Sequence, residues 1–313
     1  PFTKLVLRIF YAVGERLVET SMSPLTFFCN PIDATYGGTF RLKFKAFFWI
    51  SLQNQEVRGH TDMKNLLQFA YLQALSCLFP LIIFAALALT KFVDLPFLPR
   101  YDFILLICIG AQIFMLASKL ETIDEFKVIC LFHVIGLVLE LFKVSMGSWS
   151  YPEDAFSKIF GVPLYSGFMY ASVASYICQS WRRLDLQIYD WPKPFLAISI
   201  SFLIYLNFFT HHFLFDARWV LKGLLFFIFL KTIVTYQLNG TRYKMPMILS
   251  FLLIGFFIWI AENITTFFGA WQYPNQETAW SIVHLGKISS WFLLVIISII
   301  IVAQLKRVKS LSR

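Results

Sequence analysis

The chain has 313 residues, 58% of them hydrophobic and only 14% charged, with 36 Phe and a mean hydropathy of +0.68. That composition excludes a soluble globular domain and places the chain in a bilayer. The formal net charge of +9 does not point to nucleic acid, because the basic residues fall in short segments between apolar runs rather than along one polar face.

Residues 1–62 contain no span and break their apolar periodicity at Asn30-Pro31 and Gly37-Gly38. Met63 then opens MKNLLQFAYLQALSCLFP, directly before the first apolar run. Residues 1–62 therefore read as an N-terminal extension, either translated upstream sequence or an arm lying on the membrane surface. Residues 63–313 read as the transmembrane domain.

A spanning helix takes about 20 mostly apolar residues. Such runs occur at 72–90, 101–118, 126–146, 163–181, 194–213, 219–237, 246–268 and 284–303. The expectation is an all-α polytopic membrane helix bundle of eight transmembrane helices. Lys and Arg are richer on the side holding Lys64, Lys119, Lys127, Arg182, Arg183, Lys193, Lys231, Arg242, Lys244, Lys306, Arg307, Lys309 and Arg313 than on the side holding Lys91, Arg100, Lys143, Lys158, Arg218, Lys222 and Lys287. The positive-inside rule then puts both termini in the cytoplasm, for a multi-pass protein of a bacterial cell membrane. Cys77, Cys108, Cys130 and Cys178 fall in separate spans and behave as small apolar residues.

One pattern occurs twice. ELFKVSMGSWSYP runs from Glu140 to Pro152 and ENITTFFGAWQYP from Glu262 to Pro274, both reading E-x6-G-x-W-x-Y-P. Matching punctuation accompanies it: Thr90-Lys91-Phe92 before Arg100-Tyr101 corresponds to Thr210-His211-His212-Phe213 before Arg218-Trp219. The chain thus divides into two parallel four-helix repeats, about 63–190 and 191–313. Four spans per copy give both copies one orientation, so any shared site lies at their interface.

Glu140 and Glu262 are the candidate catalytic residues, since a carboxyl within a span is costly and faces a bundle interior or a cavity. Two readings of Glu140 stand: an acid, or half of an intrahelical pair with Lys143. Glu262 has no basic residue three or four positions away. Trp149, Tyr151, Trp271 and Tyr273 read either as an aromatic belt at the headgroups or as walls of a substrate site. His133, Asn207, Asn275, His284 and Lys287 are the further polar candidates for substrate binding. A metal site is expected to be absent; His211, His212 and Asp216 are weak candidates, because adjacent histidines on a helix diverge. No Ser-His-Asp order, phosphate loop, dinucleotide fingerprint or H-E-x-x-H occurs.

From Met63 onward the segments LALTKF, PRYDFIL, LELFKVSMGSWSYPE, YLNFFTHHF and IGFFIWIAENITTFFGAWQYPNQ resemble the YoaT-like family of bacterial integral membrane proteins, a resemblance that supplies no activity. GSWSYPE followed by GVPLYSGFMY also resembles the small membrane lycopene cyclases and carotenoid hydratases. That likeness implies a carboxylic acid protonating a polyene, with aromatic faces stabilising the cation. The paired acidic loop of those enzymes is reduced here to Glu153-Asp154. Three functions therefore stand open: an enzyme acting on an isoprenoid or other lipid, a transporter or channel for a proton, cation or small solute, and an assembly protein. Cofactors and oligomeric state stay open; the partner expected is a membrane lipid or lipid-like substrate.

Overall fold

A computed structural model describes residues 59–92 and 96–311, with side chains over 63–92 and 96–303. The expected extension, 1–62, lies almost wholly outside the described residues. Gly59–Arg313 form one compact unit. The helices are α1 (Gly59–Ser76), α2 (Leu78–Leu89), α3 (Arg100–Ala117), α4 (Ile123–Ser145), α5 (Tyr165–Arg183), α6 (Pro194–Thr210), α7 (Arg218–Phe229), α8 (Met247–Phe267) and α9 (Gly286–Leu311). Two short strands, β1 (Lys158–Ile159) and β2 (Val162–Pro163), pair antiparallel. Strands β3 (Gln187–Tyr189), β4 (Ile233–Leu238) and β5 (Thr241–Pro246) make an antiparallel sheet in that order.

Among the described residues, four helices are long and apolar enough to cross a membrane: α3, α4, α8 and the Gly286–Ala303 part of α9. A fifth span results if α1 and α2 count as one, bent by 66° at Cys77. Pro80 explains that bend, since it has no N–H to give the Ser76 carbonyl one turn back. Helix α6 is apolar but shorter. Helix α5 carries Ser166, Ser172, Ser175, Gln179 and Ser180, all of them buried, so its polar residues face neighbouring helices.

The expected span at 219–237 is built differently. Its helix stops at Phe229 and the chain continues as β4, turning into β5 through Asn239 (φ 48°) and Gly240 (φ 80°). An Asn-Gly pair with both residues at positive φ makes a two-residue hairpin turn whose twist suits the flanking strands. Tyr236 and Tyr243 stack across that hairpin at 5.6 Å.

The ends of α4 and α8 share one construction. At each, a glycine at positive φ (Gly147, 64°; Gly269, 71°) leaves the helix. Gly147 N–H and Ser148 N–H donate back to Val144 O (3.0 Å) and Lys143 O (2.9 Å), and Gly269 and Ala270 do the same to Thr266 O (3.0 Å) and Thr265 O (3.0 Å). These paired bonds satisfy carbonyls that the helix end would otherwise orphan.

After these caps the chain folds back into the bundle. A Cβ on Gly167, near the start of α5, would meet the His133 ring at 2.7 Å, and a Cβ on Gly255 would meet the Phe292 backbone at 3.0 Å. His133 and Gly255 each stand twelve residues, about 18 Å, below the last residue of their helix. Helices α5 and α9 therefore begin at depth, and segments 146–164 and 268–285 occupy the space above them. Tyr151, Val162, Ala270, Trp271, Tyr273 and Val283 in these segments are buried. Irregular backbone at that level is tolerated because protein surrounds it. The two segments also pair: Ser150 and Gln272, 122 positions apart, exchange both backbone hydrogen bonds at 3.0 Å. The end of the bundle holding them is called the motif end, and the opposite end carries the three-stranded sheet.

Candidate functional site

Glu140 and Glu262 lie nearly two turns below their helix caps, 4% and 3% exposed, so neither carboxyl is solvated and each must find donors inside the protein. Aromatic side chains supply them. Trp149 Nε1 (2.7 Å) and Tyr151 Oη (2.8 Å) donate to Glu140 Oε2, and Tyr170 Oη (2.7 Å) donates to Glu140 Oε1. Tyr273 Oη donates to Glu262 Oε1, and Trp291 Nε1 (2.6 Å) to Glu262 Oε2. Each carboxyl thus accepts from the tyrosine of its own W-x-Y-P segment, eleven residues on, because the cap glycine folds that segment back over it.

The two constellations adjoin. Trp149 meets Tyr273 edge to face at 6.0 Å, and Tyr170 meets Trp291 at 6.4 Å. Lys287 Nζ stands 5.1 Å from the Trp149 ring centre and 4.3 Å from that of Tyr273, and its charge acts on both carboxyls. Gly136 leaves room for Tyr170, since a Cβ there would overlap that ring. Tyr170 and Trp291 also line a small apolar cleft of about 20 Å³, with Phe132, Ile135, Val173, Tyr205, Ile258, Leu294, Val295, Ile297 and Ser298. The carboxyls and the cleft therefore share two aromatic walls.

Several expectations change here. Lys143 does not pair with Glu140: its Nζ points to His212 Nε2 (2.9 Å) and His211 Nε2 (3.4 Å). Along α4 the two residues are close, but the aromatic donors occupy the carboxyl first. The contrast between a silenced Glu140 and a free Glu262 disappears. Tyr151, Trp271 and Tyr273, at 5%, 8% and 7% exposure, face inward rather than forming a belt at the headgroups.

The weak metal candidates do not converge either. His211 and His212 turn to Lys143 while Asp216 is taken by Arg218, and no metal-binding group of three occurs among the described residues. Four polar candidates lie outside the constellation. His133 packs edge-on to Phe168 at 4.6 Å, and Asn207 accepts from Ala217 N–H at 3.0 Å. Asn275 donates to Ser281 (2.9 Å), and exposed His284 accepts from Gly286 N–H at 3.0 Å. Trp271 is buried in the folded-back segment without a bond to either carboxyl. Conversely, the sequence reading missed Tyr170 and Trp291, polar-edged aromatics in otherwise apolar runs, which the back-folding alone brings to the carboxyls.

Asp216 gives a titration that can be read from outside the spans. The Arg218 hydrogen bond (2.6 Å from Nε to Oδ2) is the largest influence and holds its pKa down at about 2 from 3.8. A carboxyl depressed on folding contributes stability that is fully present above roughly pH 4 and lost as pH falls through about 2. Thermal unfolding of the wild type is expected to fall more steeply over that window than that of Asp216→Asn; parallel curves would refute the linkage.

Comparison with known proteins gives a consistent placement. A family model described as "Protein of unknown function (DUF817)" matches residues 65–299. The "Uncharacterized protein YoaT" of Bacillus subtilis (strain 168) is 65% identical over 250 residues, covering 80% of this chain and 95% of the relative. No solved structure matches. With most of the bundle matched, including both E-x6-G-x-W-x-Y-P segments, the chain belongs to the DUF817 family of proteins of unknown function.

Proposed function

We propose that this protein is an intramembrane enzyme that protonates a double bond of an isoprenoid-like or other lipid substrate. One observation carries the reading: Tyr170 and Trp291, hydrogen-bonded to Glu140 and Glu262, also wall the apolar cleft. A lipid chain reaching the cleft meets those rings before the carboxyls. In the step proposed, the alkene π pair takes the proton of a carboxyl group as the O–H bond breaks. The carboxylate left behind is stabilised by its aromatic N–H and O–H donors. The carbocation faces aromatic rings and collapses by returning a proton from a neighbouring carbon, giving an isomer or a cyclised product. The likeness of GSWSYPE and GVPLYSGFMY to carotenoid-modifying enzymes supports this reading through those motifs alone.

The same proposal includes eight spans in two four-span copies, with both termini cytoplasmic in a bacterial cell membrane. The Ser150–Gln272 pairing of equivalent residues supports it. A second reading, proton or cation transport, is favoured by Lys287, whose charge acts on both carboxyls at the motif end. Lipid extracts from cells with and without the protein separate the two. The enzyme reading expects a lipid change that Glu262→Gln abolishes. A change that survives in the Gln variant would rule out the acid, and no lipid change together with ion flux in proteoliposomes would select transport.

A further inference from the structure

We propose that Lys143 is the nucleophile of a second reactive centre, an amine that condenses with an apolar aldehyde to form an imine while His212 moves the protons. This centre stands apart from the two carboxyls and does not depend on their donating a proton.

Lys143 is 5% exposed, and no carboxylate lies within 4 Å of its Nζ among the described residues. Glu140, three positions back, is taken by its aromatic donors, and Asp216 is taken by Arg218 at 2.6 Å. Burying an ammonium without a counter-charge is costly, so a lysine placed here for packing alone would be a poor choice. Its neighbours are bases instead. Nζ lies 2.9 Å from His212 Nε2 and 3.4 Å from His211 Nε2. The Asn207 carbonyl oxygen, 2.9 Å from His211 Nδ1, accepts a hydrogen bond there, which fixes the ring hydrogen on Nδ1 and turns the Nε2 lone pair toward Lys143. A nucleophile in reach of imidazoles, one of them oriented by a third group, is the arrangement that activates a weak nucleophile.

The two imidazoles divide the work by position. His211 is half-buried, whereas His212 is exposed in the connection between α6 and α7, so a proton that His212 takes from Lys143 passes on to water. The amine then donates its two N–H groups to the two rings, and its lone pair is left free. Approach is from the His212 side, where the walls are aromatic. The Phe142 ring centre is 5.9 Å from Nζ and packs against Phe209 at 4.9 Å and Phe213 at 6.5 Å. Phe213 is 70% exposed. An aldehyde with an apolar body suits these rings, its carbonyl carbon reaching Nζ past His212.

In the step proposed, the amine lone pair adds to the carbonyl carbon as the C=O π pair moves to oxygen. His212 takes a proton from nitrogen and returns it to oxygen, giving a carbinolamine. A second transfer by the same route lets the oxygen leave as water while the nitrogen lone pair closes the C=N bond. Both amine hydrogens depart with the oxygen, so lysine and aldehyde give imine and water with no other reactant.

The test incubates the full chain in detergent at neutral pH with trans-cinnamaldehyde and cyanoborohydride, which reduces an imine to a stable secondary amine, and maps labelled lysines by peptide mass spectrometry. Lys143, though buried, is expected to be labelled on the order of tenfold or more faster than the exposed Lys119 and Lys193. Labelling no faster than theirs overturns the proposal, and this readout uses the wild type, so it survives any variant that fails to fold. His212→Gln, at an exposed position, is expected to bring Lys143 down to the rate of the exposed lysines; an unchanged rate would show that His212 is not the base. Acetaldehyde is expected to lose the preference for Lys143, and equal preference for it would overturn the apolar substrate class. None of these outcomes moves with the lipid change sought for Glu262→Gln, so the two readings fail separately.

Discussion

Glu140→Ala is expected to destabilise the protein by about 3–6 kcal/mol, because it strands one buried donor and two half-buried ones at once, and an orphaned donor costs about 1–3 kcal/mol, the lower end applying where burial is partial. Those donors are Trp149 Nε1, Tyr151 Oη and Tyr170 Oη. Glu262→Ala strands two, Tyr273 Oη and Trp291 Nε1, and is expected to cost about two-thirds as much. Tyr170→Phe removes one bond and leaves the other two, so its loss is expected near 1 kcal/mol. Thermal unfolding in detergent orders the three variants. If Glu140→Ala unfolds no earlier than Tyr170→Phe, the carboxyl does not organise the folded-back segments. The ordering also bears on function, since a variant used to test proton donation has to keep the fold. Glu262→Gln keeps an acceptor oxygen for one donor and is the better probe of chemistry.

Arg100→Met is expected to cost about 3 kcal/mol, the scale for a buried charged group whose partners are left unpaired. Its guanidinium donates to Phe268 O, to Gly269 O at 3.3 Å and to Leu87 O at 3.2 Å, while Nε reaches Thr90 Oγ1 at 3.1 Å. Glu153 Oε1 completes its shell at 2.6 Å. Arg100 thus closes the ends of α2 and α8 together, tying the first helices to the second W-x-Y-P segment. Lysine presents a point charge and no planar fork, so Arg100→Lys is expected to recover less than half of the loss. Glu153→Gln, which keeps every carbonyl contact and removes a partly exposed partner, is expected to cost under about 1 kcal/mol. Full rescue by lysine would show that charge alone matters and that the carbonyl cap does not.

The parts of the fold that were legible in sequence are those set by local rules. α3, α4, α8 and α9 announce themselves as long apolar runs, and Gly147 and Gly269 mark where α4 and α8 stop. The hairpin of β4 and β5 was signalled by Asn239-Gly240 but lost in the apolar run before it, since period and hydropathy do not separate a buried strand from a short helix. For the site, a carboxyl plus W-x-Y-P in two places identified Glu140, Glu262, Trp149, Tyr151 and Tyr273. It gave no means of choosing Lys143's partner. Residues three apart on a helix are neighbours, yet the donors that reach Glu140 come from segment 146–164 and from α5.

By itself the sequence determined that this is a membrane protein with two buried carboxyls in equivalent settings, because hydrophobic runs and helix-ending glycines act over one or two turns of chain. Only the tertiary structure decided what those carboxyls touch. Folding the W-x-Y-P segments back between helices brings Ser150 against Gln272 and sets Tyr170 and Trp291 between the carboxyls and an apolar cleft. It also separates Lys143 from Glu140 and gives it to two histidines. Those pairings join positions from about 10 to more than 100 residues apart, and they hold because a buried polar atom must be satisfied by whichever group packing brings within reach.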